Sequence, residues 1–232
     1  MVWVSPRVVA AAFSLLALGA CSPPAPPPAA PAAPAETPVE NTAPAGAYTL
    51  EKSHASLIVR LNHLGYSHFT ARFERWDATL NFDPAAPESA SISVSIDPRS
   101  IASDNPPAGF IDTMRGPEFL DAARFPDTRF QSTQVERTGP NTARITGDLT
   151  LHGVTKPVTL EARFNGGYPG MQLDPHARIG FSAHGTFKRS DFGMGFGIPP
   201  AGTTMGVSDD VEVIIETEFS GPAWTPPASS AP

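Results

Sequence analysis

The chain has 232 residues, of which 41% are hydrophobic and 17% charged, enough for one well-cored domain, while 27 prolines mark stretches outside it. A formal net charge of -7 argues against nucleic acid as a partner, because that affinity rests on clustered Lys and Arg displacing counterions. Cys21 is the single cysteine, so no intramolecular disulfide forms and stability rests on the core.

Residues 1–20 read as an export signal, with Arg7 in a short n-region, an apolar run from Val8 to Leu18, and small residues before Cys21. The run is short for a bilayer span, which takes about 18 or more apolar residues. Leu18-Gly19-Ala20-Cys21 resembles the bacterial lipobox. That resemblance implies cleavage before Cys21 and lipidation of its thiol, with the acyl chains as a membrane anchor. Ser22 in place of Asp, by resemblance to enterobacterial sorting, points to the outer membrane, so the expected address is the periplasmic side of the envelope. Residues 21–47 are dominated by Pro and Ala and are expected to form an extended tether of about 3.1 Å per residue. Residues 48–222 are expected to be the folded domain and 223–232 a disordered tail.

Through the domain the apolar residues recur with a period of two, which places alternate side chains on opposite faces of a strand. In SASISVSI, Ala90, Ile92, Val94 and Ile96 share a face opposite four serines. Leu57, Val59 and Leu61 form another such set. Between Phe69 and Phe82 the apolar parity switches, which predicts a β-bulge near Glu74-Arg75. Residues 109–128 break the alternation with Phe110, Ile111, Met114, Phe119 and Leu120 at helical spacing, predicting a helical insertion in two pieces split near Gly116-Pro117. The period of two then returns in Ile145, Leu149 and Leu151, in Val158, Leu160, Ala162 and Phe164, and in Ile179, Phe181, Ala183 and Phe187. Val211, Val213, Ile215 and Phe219 complete the series opposite Glu212, Glu216 and Glu218. About eight or nine antiparallel strands with one wet and one dry face suit either a barrel or a two-sheet sandwich.

No catalytic set converges in this pattern. His152 has no carboxylate or nucleophile partner in a recognisable motif and reads as a turn residue before a loop at Gly153-Val154-Thr155-Lys156. His63 and His68 lack the further ligands a structural zinc site takes, so no metal is expected. Gly193, Gly195 and Gly197 lack the Lys-Ser/Thr and the strand-to-helix context of a phosphate loop, and their apolar neighbours suit either the core or a pocket mouth. Asp209-Asp210, Glu216 and Glu218 read as a solvated face rather than as paired catalytic carboxylates.

The stretches YTLEKSHASLIVRLNHLGYSHFTARF, FIDTMRGPEFLDAARFPDTRFQST, GDLTLHGVTKPVTLEARF and RIGFSAHGTFKRSDFGMG, taken in order, resemble the YceI-like family of secreted bacterial proteins. The resemblance implies an all-β fold, an antiparallel eight-stranded lipocalin-like β-barrel with a short helical insertion, closed over an apolar pocket that in some relatives holds a polyisoprenoid. It also implies a binding protein, not an enzyme, in a family whose members carry general labels such as stress-related protein. The expected ligand is a long apolar molecule such as a polyisoprenoid or quinone, with no cofactor. Inward candidates are Leu57, Val59, Phe73, Ile92 and Val94, together with Leu149, Leu160, Phe181 and Val213, while Phe119 and Phe125 are placed to close an end. Arg72, Arg115 and Lys188 are candidate partners for a polar headgroup. The competing expectation is a structural envelope lipoprotein with a filled barrel, and a homodimer is a candidate assembly.

Overall fold

A computed structural model describes residues 36–226. The expected signal, Cys21 and the first part of the tether lie outside the described residues, as do residues 227–232. Eleven strand segments run in chain order: β1 (Gly46–Leu50), β2 (Ser56–His63), β3 (Ser67–Phe73), β4 (Trp76–Phe82), β5 (Ser91–Ile96), β6 (Ile101–Ala102), β7 (Thr128–Arg137), β8 (Thr142–Leu151), β9 (Val154–Tyr168), β10 (His176–Lys188) and β11 (Asp210–Ala223). One helix, α1 (Phe110–Arg115), sits between β6 and β7.

The sheet order β1-β4-β5-β7-β8-β9-β10-β11 returns to β1 through Thr49↔Ser220 and Leu50↔Phe219, which closes an eight-strand antiparallel barrel. The three remaining segments continue strands of that ring. β1 and β2 both pair with β11, on either side of a 3-10 turn at Lys52–His54. β3 and β4 are halves of one strand, as are β5 and β6, because β3 pairs with β2 and β6 while β4 pairs with β1 and β5.

The parity switch at Glu74-Arg75 is the break between β3 and β4, and it is wider than a one-residue bulge. Both residues leave the ladder and bond to the matching break between β5 and β6. The Glu74 N–H donates to the Ser100 carbonyl (3.2 Å), the Arg75 N–H to Ser100 Oγ (3.0 Å), and the Asp97 N–H to the Arg75 carbonyl (3.0 Å). The register also shifts in β7 between Ser132 and Gln134, and in β9 opposite Gly180-Phe181, where an extra residue bends a long strand around the ring. Pro157 is tolerated inside β9 because β10 engages that strand only from Leu160, so no ladder bond is lost on that side.

The strand directions give the barrel two ends. At one lie the β2–β3 turn, the insertion of residues 103–127, the turn at His152-Gly153 and the loop of residues 189–209. At the other lie residues 36–45, the loop 83–90, the turn 138–141 and the loop 169–175. The insertion contains one helix of six residues and not two, since Pro117 follows the helix end at Gly116 and Asp121 takes a positive φ of 41°. Turns held by the Gly116 carbonyl, which accepts from the Phe119 (3.1 Å) and Asp121 (2.8 Å) N–H groups, replace the second helical piece.

The folded part begins earlier than the composition of the tether suggests. The Asn141 side chain is buried, accepts the Val39 N–H at 2.7 Å and donates to the Thr37 carbonyl at 2.8 Å. The Thr42 N–H reaches the Gly167 carbonyl (3.1 Å), Ala43 is buried, and Glu36 pairs with Arg163. Past the expected domain end, the Trp224 N–H still bonds to the Pro175 carbonyl at 2.9 Å. Two apolar clusters form the core. Leu120, Phe130, Leu149, Phe192 and Met194 belong to the one toward the insertion, and Tyr48, Leu50, Leu80, Ile179 and Phe219 to the other.

Candidate functional site: an apolar cavity in the barrel

The dry faces of the strands converge on a cavity of about 1130 Å³. Period-two alternation is what places them there, since every second residue of a barrel strand points inward. Leu57 and Val59 reach it from β2, Phe73 from β3, and Ile92 and Val94 from β5. Leu149, Leu160, Phe181 and Val213 reach it from β8, β9, β10 and β11. Phe119 lines it from the insertion and packs edge-on against Phe196, with ring centroids 5.5 Å apart.

Phe125 is a correction. It lies outside the cavity lining and packs instead on the His152 ring, 4.8 Å between centroids, over the turn that follows β8. A Cβ at Gly153 would come within 2.4 Å of the Phe125 ring, so the glycine is needed both for that contact and for its φ of 77°. His152 itself has φ 52°, which makes His152-Gly153 a two-residue turn with both angles positive, shorter than the expected Gly153–Lys156 loop because Val154 already starts β9. The His152 ring uses Nδ1–H to donate to the Phe192 carbonyl at 3.1 Å, tying the turn to the 189–209 loop.

Several lining residues escaped the inward candidates. Phe82 and Phe164 stack with centroids 6.2 Å apart, and Phe164 meets Phe181 at 5.5 Å, forming an aromatic floor toward the N-terminal end. Their parity marked both, since each ends an alternating run. Val39 and Asn41 also line the cavity. They sit in Pro/Ala-rich sequence with no periodicity, so no signal marked them.

The candidate headgroup cations are already engaged. Arg72 lines the edge of the cavity and pairs with Asp104 (3.0 Å) and Glu74 (3.2 Å). Arg115 donates to the Ile101 carbonyl (3.3 Å), and Lys188 pairs with Asp210 at 2.9 Å. Neither of these two is among the cavity-lining residues. Among the described residues no group of three or more His, Cys, Asp and Glu side chains gathers as metal ligands.

Arg189 had no sequence signal. It is 3% exposed, lies at the cavity wall, and donates to the carbonyls of Met194, Phe196, Val207 and Ser208 at 2.8–2.9 Å. Burial draws its pKa below the ordinary arginine value, with Asp209 opposing. This guanidinium folds the glycine-rich loop down, so that Phe192 and Met194 join the core while Phe196 stays half exposed.

A YceI-like domain model matches residues 48–219. A UPF0312 protein of Pseudomonas fluorescens is 41% identical over 152 residues, covering 65% of this chain and 77% of its own length. The crystal structure of the Campylobacter jejuni YceI protein superposes with a TM-score of 0.59 at 30% identity, covering 68% of this chain and 88% of that one. A structure described as a polyisoprenoid binding domain from Saccharophagus degradans has the same fold, with a TM-score of 0.53 at 14% identity over 76% of this chain and 99% of that one. Barrel, cavity and matched sequence agree, and the chain belongs to the YceI-like family.

Proposed function

We propose that this protein is a lipid-anchored binding protein on the periplasmic side of the outer membrane that sequesters or carries a long apolar molecule such as a polyisoprenoid or quinone. The observation that carries the proposal is the cavity of about 1130 Å³, walled by Phe, Leu, Ile and Val side chains from all around the ring. Binding there needs no chemistry. Each methylene taken out of water contributes about 0.8 kcal/mol, so a long hydrocarbon is held by desolvation alone. The fold likeness to a domain described as polyisoprenoid binding supports the choice of ligand class. A filled barrel is disfavoured by the same volume.

Native mass spectrometry of the protein purified gently from its host tests the proposal, and an apolar adduct of fixed mass is the expected result. A folded, ligand-free protein that also takes up neither isoprenoids nor quinones sinks it. Anchoring is tested separately through Cys21→Ala, which is expected to move the protein from the membrane to the soluble periplasmic fraction. Unchanged fractionation rejects the anchor and leaves the binding proposal standing.

A further inference from the structure

Charge is unevenly spread over the loops at the two ends of the barrel. At the insertion end, residues 61–71, 105–111 and 192–207 contain no Asp, Glu, Lys or Arg. Charges at this end flank those stretches: Asp104, the run from Asp112 to Asp127, where Arg124 lies over Phe125 beside the His152 turn, and Arg189, Asp191 and Asp209 where the loop 189–209 meets the strands. The opposite end carries Glu36, Glu40, Asp83, Glu88, Arg163 and Asp174.

Three large apolar side chains stand in water on the uncharged stretches: Tyr66 is 84% exposed, Met205 67% and Phe196 52%. Their loops interlock. The Leu64 N–H donates to the Gly206 carbonyl at 2.9 Å, His63 bridges to Val207, and Thr204 lies against Gly65. Each is also continuous with the cavity wall, which includes Ser67 next to Tyr66, Val207 beyond Met205, and Phe119 under Phe196. Arg189 fixes the backbone of this loop through four carbonyls, so its apolar tips are presented in a set shape and little ordering remains for docking. Met171 and Leu173 are exposed at the other end, but they adjoin Asp174 and its pair with Arg178.

We infer that this rim docks onto the surface of a lipid bilayer, seating Tyr66, Phe196 and Met205 at the boundary of headgroups and acyl chains with this end of the cavity wall against the membrane. The uncharged stretches select a lipid surface, and a zwitterionic one, because the rim offers no cationic cluster for acidic lipids or an acidic partner. Tyr and Phe suit that boundary, where an apolar ring lies in the acyl layer and a phenol stays wet. The inference rests on the carrier reading for its purpose, since a barrel end seated on the bilayer brings the cavity next to the layer from which a long apolar chain would come. Docking itself requires no ligand.

The test uses the full chain carrying Cys21→Ala, with one new cysteine at a time, Tyr66→Cys, Met205→Cys or Leu173→Cys, labelled with a polarity-sensitive fluorophore. Ligand-free phosphatidylcholine vesicles are added. A blue shift at positions 66 and 205 with none at 173 is expected, and Phe196→Ser added to the Met205→Cys chain is expected to weaken vesicle affinity at least tenfold. No shift at 66 and 205, or an equal shift at 173, overturns the inference. A shift that needs no vesicles and grows with protein concentration also overturns it, in favour of a second copy of the chain on the rim. Uptake of isoprenoids from detergent by the same chains separates the two readings: uptake without a vesicle shift sinks docking alone, and a vesicle shift without uptake sinks the carrier alone.

Discussion

Arg189 shows what a single side chain does in this fold. Among the described residues no carboxylate lies within ion-pair distance of it, and its charge is met by the dipoles of four carbonyls. Removing it leaves those acceptors without donors. Arg189→Met is expected to cost about 3 kcal/mol, a fall in Tm of roughly 6–12 °C by thermal unfolding. A change under about 2 °C would mean that water replaces the guanidinium. Nothing local in RSDFGMGFG announces this role, because the carbonyls lie up to nineteen positions away and converge only when the loop is folded. His152 is legible in the sequence as a turn residue, because it stands before glycine between two alternating runs.

At the scale of elements, the strand breaks are where the carboxylates work. Asp97 caps the 3-10 turn Pro98–Ser100 and accepts from Arg75 and Arg99, so it joins both breaks on that side of the barrel. The Arg99 hydrogen bond, with Arg75 adding, holds its pKa at about 2, against 3.8 for an ordinary Asp. Glu51 occupies the break between β1 and β2, and hydrogen bonds from Ser53 and then Arg178 bring it to about 2 from 4.5. Both folded pKa values are depressed, so their stabilisation is complete above pH 4.5 and is lost as pH falls toward 2. Thermal unfolding followed between pH 6 and pH 2 is expected to show Tm flat above about pH 5 and falling below it. In Glu51→Gln/Asp97→Asn the slope below pH 4.5 is expected to shrink, and an unchanged slope would assign acid sensitivity to other groups. The parity switch from Phe73 to Trp76 made one break legible in the sequence. Its docking against the Asp97 break was not, since two kinks far apart in the chain show no mutual signal until the strands pair.

For the whole molecule, alternation told which side chains face inward, yet it was silent on whether they meet. That depends on the circumference of the ring against the bulk of its inward residues, and here small ones, Ala71, Ala78, Ala162 and Ala183, occur among the aromatics. A filled core and a hollow one share the same pattern in every strand. Ala183→Phe adds a ring to open space from the middle of β10, so Tm is expected to stay level or rise while ligand uptake falls at least tenfold. Undiminished uptake would place the ligand elsewhere. The pairing that closes the ring, Thr49 with Ser220, joins residues 171 positions apart. Bringing such distant segments together carries a loop-closure cost on the order of 4–5 kcal/mol, and topologies of this kind fold slowly. The strand that completes the wall, β11, is also synthesised after the other seven of the ring. Until it arrives, β1 and β10 keep bare edges and the apolar stripes have nothing to enclose, so the chain travels as an open sheet's worth of sticky sequence and becomes a container only when its final strand is in hand.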